Sequence, residues 1–335
     1  MHSPARHRTT LLRRALQIAV VGLFAGFIGW ALASQWSQVR AAAADLTVTG
    51  LLLATAAAAV ALWFNFLSWR AILTDFGSRI PLHAGMRIFF VGQLGKYLPG
   101  KLWPMLTQAR LGQIYRVPGR ASVAAALLVI AVSLGTGLLL TVCLLPLVGP
   151  DSFDRYWWAL LALPVAAVGL WPPVLNWGLT IAMRLARREP MPRPLSPRGI
   201  GQSVLWSVLA WLAYGGHIWA LLWGLGAADG PRLVFLSIAA FASSWAIGFL
   251  LLVAPAGAGP REAALVVILG GSVSQPIALV AAVVSRLLMI MIDVAAPAIA
   301  VLLANRRLGG KPPQPDQPGR TDQVDSAHRD RSAAG

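Results

Sequence analysis

Apolar residues run along this chain in blocks longer and more continuous than the buried faces of soluble helices or strands. The clear blocks cover 15–34, 48–68, 121–148, 156–183, 203–225, 233–254 and 277–304. About 20 mainly apolar residues are needed to cross ~30 Å of hydrocarbon as a helix, so each block predicts a transmembrane helix. A shorter run opens at Arg261 and ends at Gly270-Gly271-Ser272. From Arg261 to Ser274 it would extend only ~21 Å as a helix, which predicts a half-span fed by a re-entrant loop. The pattern therefore predicts an all-α, polytopic transmembrane helix bundle of about eight spans. The transmembrane domain is expected over 15–305, between a basic N-terminus at 1–14 and a tail at 306–335. That tail is Pro-rich, polar and charged, a composition that cannot bury apolar surface and predicts disorder.

Composition agrees. The chain is 57% hydrophobic and only 12% charged, where soluble domains are nearer ~25% charged. A net charge of +16 would suit nucleic acid on a soluble protein. Here the basic residues lie between the apolar blocks, as in membrane proteins that use them for orientation and for anionic lipid, so no nucleic-acid partner is expected. Arg6, Arg8, Arg13 and Arg14, the eight basic residues from Arg70 to Arg120, Arg184 to Arg198, and Arg306, Arg307 and Lys311 alternate with sparsely basic loops at Arg40, Arg155 and Arg232. The bias puts both termini in the cytoplasm of a cell-membrane protein and requires an even number of spans. Arg13, Arg14 and Ala31-Leu32-Ala33 imitate a signal peptide, but the run Ala15–Ala33 exceeds the usual 7–15-residue core and is expected to stay as the first span. Cys143, the single cysteine, reads as a small buried core residue.

Two segments interrupt the hydrophobic pattern. Residues 88–104 read IFFVGQLGKYLPGKLWP, and 254–262 read APAGAGPRE. Gly and Pro leave backbone groups unpaired, which hydrocarbon tolerates only where the backbone is buried in protein or lines a wet cavity. Paired breaks of this kind point to a transporter's binding site; ordinary interfacial loops would have the same composition. Gly95 to Lys101 fits the start of a P-loop, but Leu102 stands where Ser or Thr must ligate magnesium, and no preceding strand is predicted. Lys96 and Lys101, two of only three lysines, could hold a lipid phosphate or snorkel to the interface.

Arg286 and Asp293 fall inside the last block on one helical face. Ionisable residues at membrane depth are expensive and face the bundle interior. Direct pairing across seven residues is a long reach, so each is expected to find a partner elsewhere. Arg261 and Glu262 are candidates, and they could equally form a structural ion pair. Glu262 suits a helix N-terminus, whereas Arg261 is disfavoured there and should answer an anion. His217 reads as a hydrogen-bonded packing residue, with a proton relay as the alternative. Asn65 reads as an interhelical hydrogen bond. Trp30, Trp36, Trp63, Trp69, Trp157 and Trp158 sit near span ends, as interfacial anchors do. No catalytic constellation, metal set or cofactor motif is readable, so catalytic, metal and cofactor residues are each expected to be none.

Taken together, the Gly95–Lys101 motif with Leu102-Trp103, the Ala254–Ala264 motif, and Arg286 about 25 residues on resemble the lysylphosphatidylglycerol synthase transmembrane region, or flippase-like, family. Ala256, Ala258 and Pro260 depart from its usual pattern. The resemblance implies that the membrane region moves a lipid between leaflets, with Lys96, Tyr97, Lys101, Arg261, Glu262, Arg286 and Asp293 at the headgroup. The soluble transferase domain of full-length synthases has no counterpart here, so this chain is not expected to charge a lipid alone. Partners implied are a membrane phospholipid or polyprenyl-phosphate lipid, a partner glycosyltransferase or synthase, and a second copy as a homo-oligomer. Three readings stay open: a translocator, a membrane subunit of a lipid-linked glycosyl or aminoacyl transfer enzyme, and a scaffold whose charges only lock packing.

Overall fold

The computed structural model describes residues 36–97, 102–148, 153–154, 157–185, 189, 191, 193–227, 230–251, 257 and 259–307. The first expected span at 15–34, Lys101, Trp30 and the tail beyond 307 lie outside the described residues. In chain order the helices are α1 (Trp36–Ala44), α2 (Val48–Asp75), α3 (Leu82–Gln93), α4 (Trp103–Ile114), α5 (Gly119–Leu144), α6 (Leu163–Gly169), α7 (Pro172–Leu185), α8 (Pro197–Gly224), α9 (Pro231–Leu250), α10 (Pro260–Leu269) and α11 (Gln275–Arg307). No strand occurs among the described residues. Five helical segments, those built on α2, α5, α8, α9 and α11, are long and apolar enough to cross a membrane. The protein is an all-α polytopic bundle.

The α2–α8 pair is the most extensive helix contact, and its sequence explains why. Gly50, Ala54, Ala58 and Ala61 line the buried side of α2. Small residues at this spacing let two backbones approach closely, which drives helix association where lipid removes the hydrophobic force. A Cβ on Gly50 would stand 2.7 Å from the Gly224 Cα and 3.0 Å from the Ala220 carbonyl oxygen. Polar groups fasten the seam along its length. Thr47 N donates to the Gly224 carbonyl (2.9 Å), Asn65 Nδ2 donates to the Tyr214 hydroxyl (3.2 Å), and the Ser68 and Ser203 hydroxyls meet at 2.7 Å. At the other end the Asp75 carboxylate accepts from Ser196 N (2.7 Å) and Ser196 Oγ (2.6 Å). The expected role of Asn65 is realised.

Three expectations need correction. The block 156–183 is not one straight crossing: α6 and α7 meet at 62°. The break falls at Leu170-Trp171, just before Pro172 and Pro173, which cannot donate backbone hydrogen bonds to the preceding turn. Trp69 is no interfacial anchor. It is fully buried and packs on Phe66 (6.2 Å between ring centroids) and Phe89 (5.6 Å). Trp157, by contrast, is exposed. Cys143 is half-buried rather than core.

The two sequence breaks become short helices. The segment 88–104 runs from α3 to α4, two helices of 12 residues each that pack on one another as a hairpin, with residues 98–101 between them outside the described residues. Each is only ~18 Å long, too short to span alone. A single turn of 3-10 helix, Leu94–Tyr97, continues α3. A Cβ on Gly95 would meet the Pro104 nitrogen at 2.7 Å, so the two arms touch through backbone. The second break leads into α10, a helix of 10 residues, in agreement with the expected half-span.

Because the α2–α8 seam depends on backbone contact, Gly50→Ala is expected to lower stability by about 1–3 kcal/mol through overpacking. The measurement is the thermal unfolding midpoint of the detergent-solubilised protein. Gly216→Ala should leave that midpoint unchanged, since its added methyl would find its nearest neighbour 4.0 Å away.

Candidate functional site

The long helix α11 carries both ionisable residues of the last span, and each finds its partner on a broken segment. The Lys96 ammonium, delivered by the turn after α3, lies 2.6 Å from Asp293 Oδ2. The Tyr97 hydroxyl donates to the same oxygen at 2.6 Å. Asp293 is 2% exposed, and its Oδ1 has no hydrogen-bond partner among the described residues. Seven residues away, Arg286 Nη1 reaches Glu262 Oε1 at 3.3 Å. The same carboxylate uses Oε2 to accept from Gly259 N (2.7 Å) at the start of α10. This satisfies one orphan amide and places a negative charge at the positive end of the helix.

Arg261 is arranged differently. Its guanidinium stands over the Phe241 ring, 4.6 Å from the centroid, and the residue is buried. It makes no ion pair or hydrogen bond among the described residues. Arg261 and Arg286 both act on the Lys96 ammonium through space, so the pairs form one electrostatic unit. That unit holds three cations (Lys96, Arg261, Arg286) and two carboxylates (Glu262, Asp293). Among the described residues that is one more cation than carboxylates, in a place where a charge without a counter-ion is costly.

Backbone geometry sets Arg261 there. Gly257 has φ +67° and Gly259 φ +92°, left-handed conformations that glycine adopts without strain. A Cβ on Gly257 would lie 3.1 Å from the Gly248 carbonyl oxygen. A Cβ on Gly248 would stand 2.8 Å from the Arg261 Cβ. Gly257 and Arg261 therefore both pack on α9 at Gly248, which sets Arg261 on the aromatic side of that helix.

The lysylphosphatidylglycerol synthase TM region family matches residues 14–296. The chain belongs to that family. No curated protein matched the chain. The family assignment agrees with the resemblance carried by the Gly95–Lys101 and Ala254–Ala264 motifs.

Of the residues singled out in the sequence, the structure brings together Lys96, Tyr97, Arg261, Glu262, Arg286 and Asp293. Lys101 lies outside the described residues. His217 is a packing residue with both ring nitrogens engaged. Nδ1 lies 2.9 Å from the Ala54 carbonyl oxygen and Nε2 2.8 Å from Ser285 Oγ. Sequence reasoning missed Phe241, the ring beneath Arg261, and Tyr214, stacked on it at 4.6 Å between centroids. The signal was present: Phe241, Trp245 and Gly248 recur at helical spacing on one face of α9. No group able to hold a metal ion occurs among the described residues.

Removing one member of a buried ion pair leaves the other uncompensated. Lys96→Met is therefore expected to destabilise the protein by about 3 kcal/mol, measured as a lower thermal unfolding midpoint in detergent. The double variant Lys96→Met with Asp293→Asn should recover most of that loss. A double variant no more stable than the single one would show that the pair does not carry the stability assigned to it.

Proposed function

We propose that this chain is a flippase-like lipid translocator of the cell membrane. Its cargo would be an anionic or aminoacylated phospholipid, or a polyprenyl-phosphate-linked lipid, moved between leaflets. The observation that supports this reading most strongly is Arg261. It is a buried guanidinium with no carboxylate within ion-pair distance among the described residues, inside a cluster whose described members count one more cation than carboxylates. A headgroup phosphate supplies the missing negative charge, and Arg is the side chain suited to bind it through paired N–H donors. The two carboxylates keep the empty site close to neutral, so that phosphate binding is not irreversible. The contributing segments are the Gly/Pro-broken ones expected at a transporter's binding site. Lys101 would join them from the same hairpin. Both termini face the cytoplasm in this reading.

The family is named for a synthase, which favours a second reading: a membrane subunit of a lipid-linked aminoacyl or glycosyl transfer enzyme. Copurification with a transferase, and no exchange by the chain alone, would select it.

The test is leaflet exchange of a fluorescent anionic lipid in liposomes reconstituted with the purified chain. The wild type should accelerate exchange over empty liposomes. Arg261→Gln should cut the rate roughly tenfold or more, the scale of a lost charge-assisted hydrogen bond, while the thermal midpoint holds or rises, because an uncompensated buried charge is removed. Exchange equal to that of empty liposomes across phosphatidylglycerol, its aminoacyl ester and a polyprenyl phosphate would overturn the reading.

A further inference from the structure

We propose a second anion site at the cytoplasmic end of the α2–α8 seam, one that takes the phosphate group of an anionic lipid headgroup or of a free phosphate. It is separate from the Lys96–Asp293 cluster and does not depend on the translocator reading.

The site is an open-sided cavity of about 510 Å³ between the last turn of α2 and the first turn of α8. Its lining includes Thr74, Asp75, Arg79, Arg193, Arg198 and Gln202. The three arginines reach it from three places: the loop after α2, the segment before α8, and the first turn of α8. None of them makes an ion pair or hydrogen bond among the described residues. All three are exposed, so water screens much of their mutual repulsion, yet they converge on one volume. Arg198 also stands at the positive end of the α8 dipole, where a cation is disfavoured. Three guanidinium groups that line one cavity without an internal partner present convergent donors that a single anion can share.

Asp75 does not fill that role. Its two oxygens are taken by Ser196 N and Ser196 Oγ, at 2.7 and 2.6 Å, and Ser196 Oγ in turn caps Gly199 N at 3.0 Å. The carboxylate fixes the rim of the cavity and ties α2 to α8. Three guanidinium charges against one carboxylate leave the cavity net positive, which attracts a phosphate group. Thr74 and Gln202 add a hydroxyl and an amide as neutral donors. The volume falls in the range of small-molecule pockets. Basic pockets between transmembrane helices on the cytoplasmic side are suited to anionic headgroups. A bound phosphate would bridge the loop after α2 to the start of α8 and clamp the seam from that end.

The test uses the full chain in neutral detergent and follows its thermal midpoint. One arm adds phosphatidylglycerol against phosphatidylcholine; another adds inorganic phosphate against chloride at equal ionic strength. The wild type should gain a few degrees with a phosphate-bearing ligand, because ligands that bind the folded state stabilise it by mass action. The groove triple variant R79Q/R193Q/R198Q should need roughly tenfold or more ligand for the same gain, having lost its charge-assisted contacts. The comparison triple R110Q/R120Q/R184Q, exposed arginines elsewhere, should respond as wild type. If the groove triple does not fold, Arg79→Gln alone, in an exposed loop, carries the same comparison. A gain with the lipid but not with inorganic phosphate assigns a lipid headgroup; an equal gain with both assigns a free phosphate group. The proposal is overturned if the wild type gains nothing in either arm. It is equally overturned if the groove variant keeps the full gain, or if the comparison triple loses as much.

Discussion

Two carboxylates buried among apolar helices constrain the rest of this molecule. Asp293 and Glu262 would be prohibitively costly in hydrocarbon unless each were held by a cation and by hydrogen bonds. Lys96 and Tyr97 supply these for Asp293; Arg286 and the Gly259 amide supply them for Glu262. Lys96, Tyr97 and the Gly259 amide come from places where the chain departs from straight helix, and Arg286 reaches Glu262 from within α11. The hairpin of α3 and α4 and the short α10 are therefore tied to α11 by electrostatics as well as by packing.

The remainder of the bundle meets a different requirement, contact without a hydrophobic force between helices. The α2–α8 seam meets it with small residues and paired hydroxyls. The α5 helix repeats the device on a smaller scale. Thr136 and Ser207 meet at 2.8 Å, Trp211 Nε1 donates to the Ser133 carbonyl at 3.2 Å, and Thr141 and Ser243 meet at 3.2 Å. These contacts join helices without charge. Among the described residues, the buried ion pairs join the broken segments to α11, and the remaining seams rest mainly on small residues and hydroxyls.

Much of this was legible in the sequence because hydrocarbon imposes a length and a polarity on each span. The blocks at 48–68, 121–148, 203–225, 233–254 and 277–304 all became long helices, and the run after Arg261 became a short one. The candidate site was legible for a related reason: a charge within a span demands a partner, and few were available. What failed was local. Hydropathy is blind to direction, so the bend at Pro172-Pro173 passed as a straight crossing. Position near a span end does not decide which way a ring points, so Trp69 read as an anchor although it faces Phe66 and Phe89. Phe241 was hidden because an apolar ring in an apolar helix is silent until something charged rests on it.

His217 has a mechanical consequence. A carbonyl oxygen only accepts, so Nδ1 must donate to Ala54; in the neutral ring, Nε2 then accepts from the Ser285 hydroxyl. One rigid ring thus pins α2, α8 and α11 at a single point. Ser285 immediately precedes Arg286, so the pin sits one residue from the Arg286–Glu262 contact. Parting Arg286 from Glu262 by sliding α11 along α8 would strain the Nε2–Ser285 hydrogen bond, so the imidazole couples that ion pair to the α2–α8 seam.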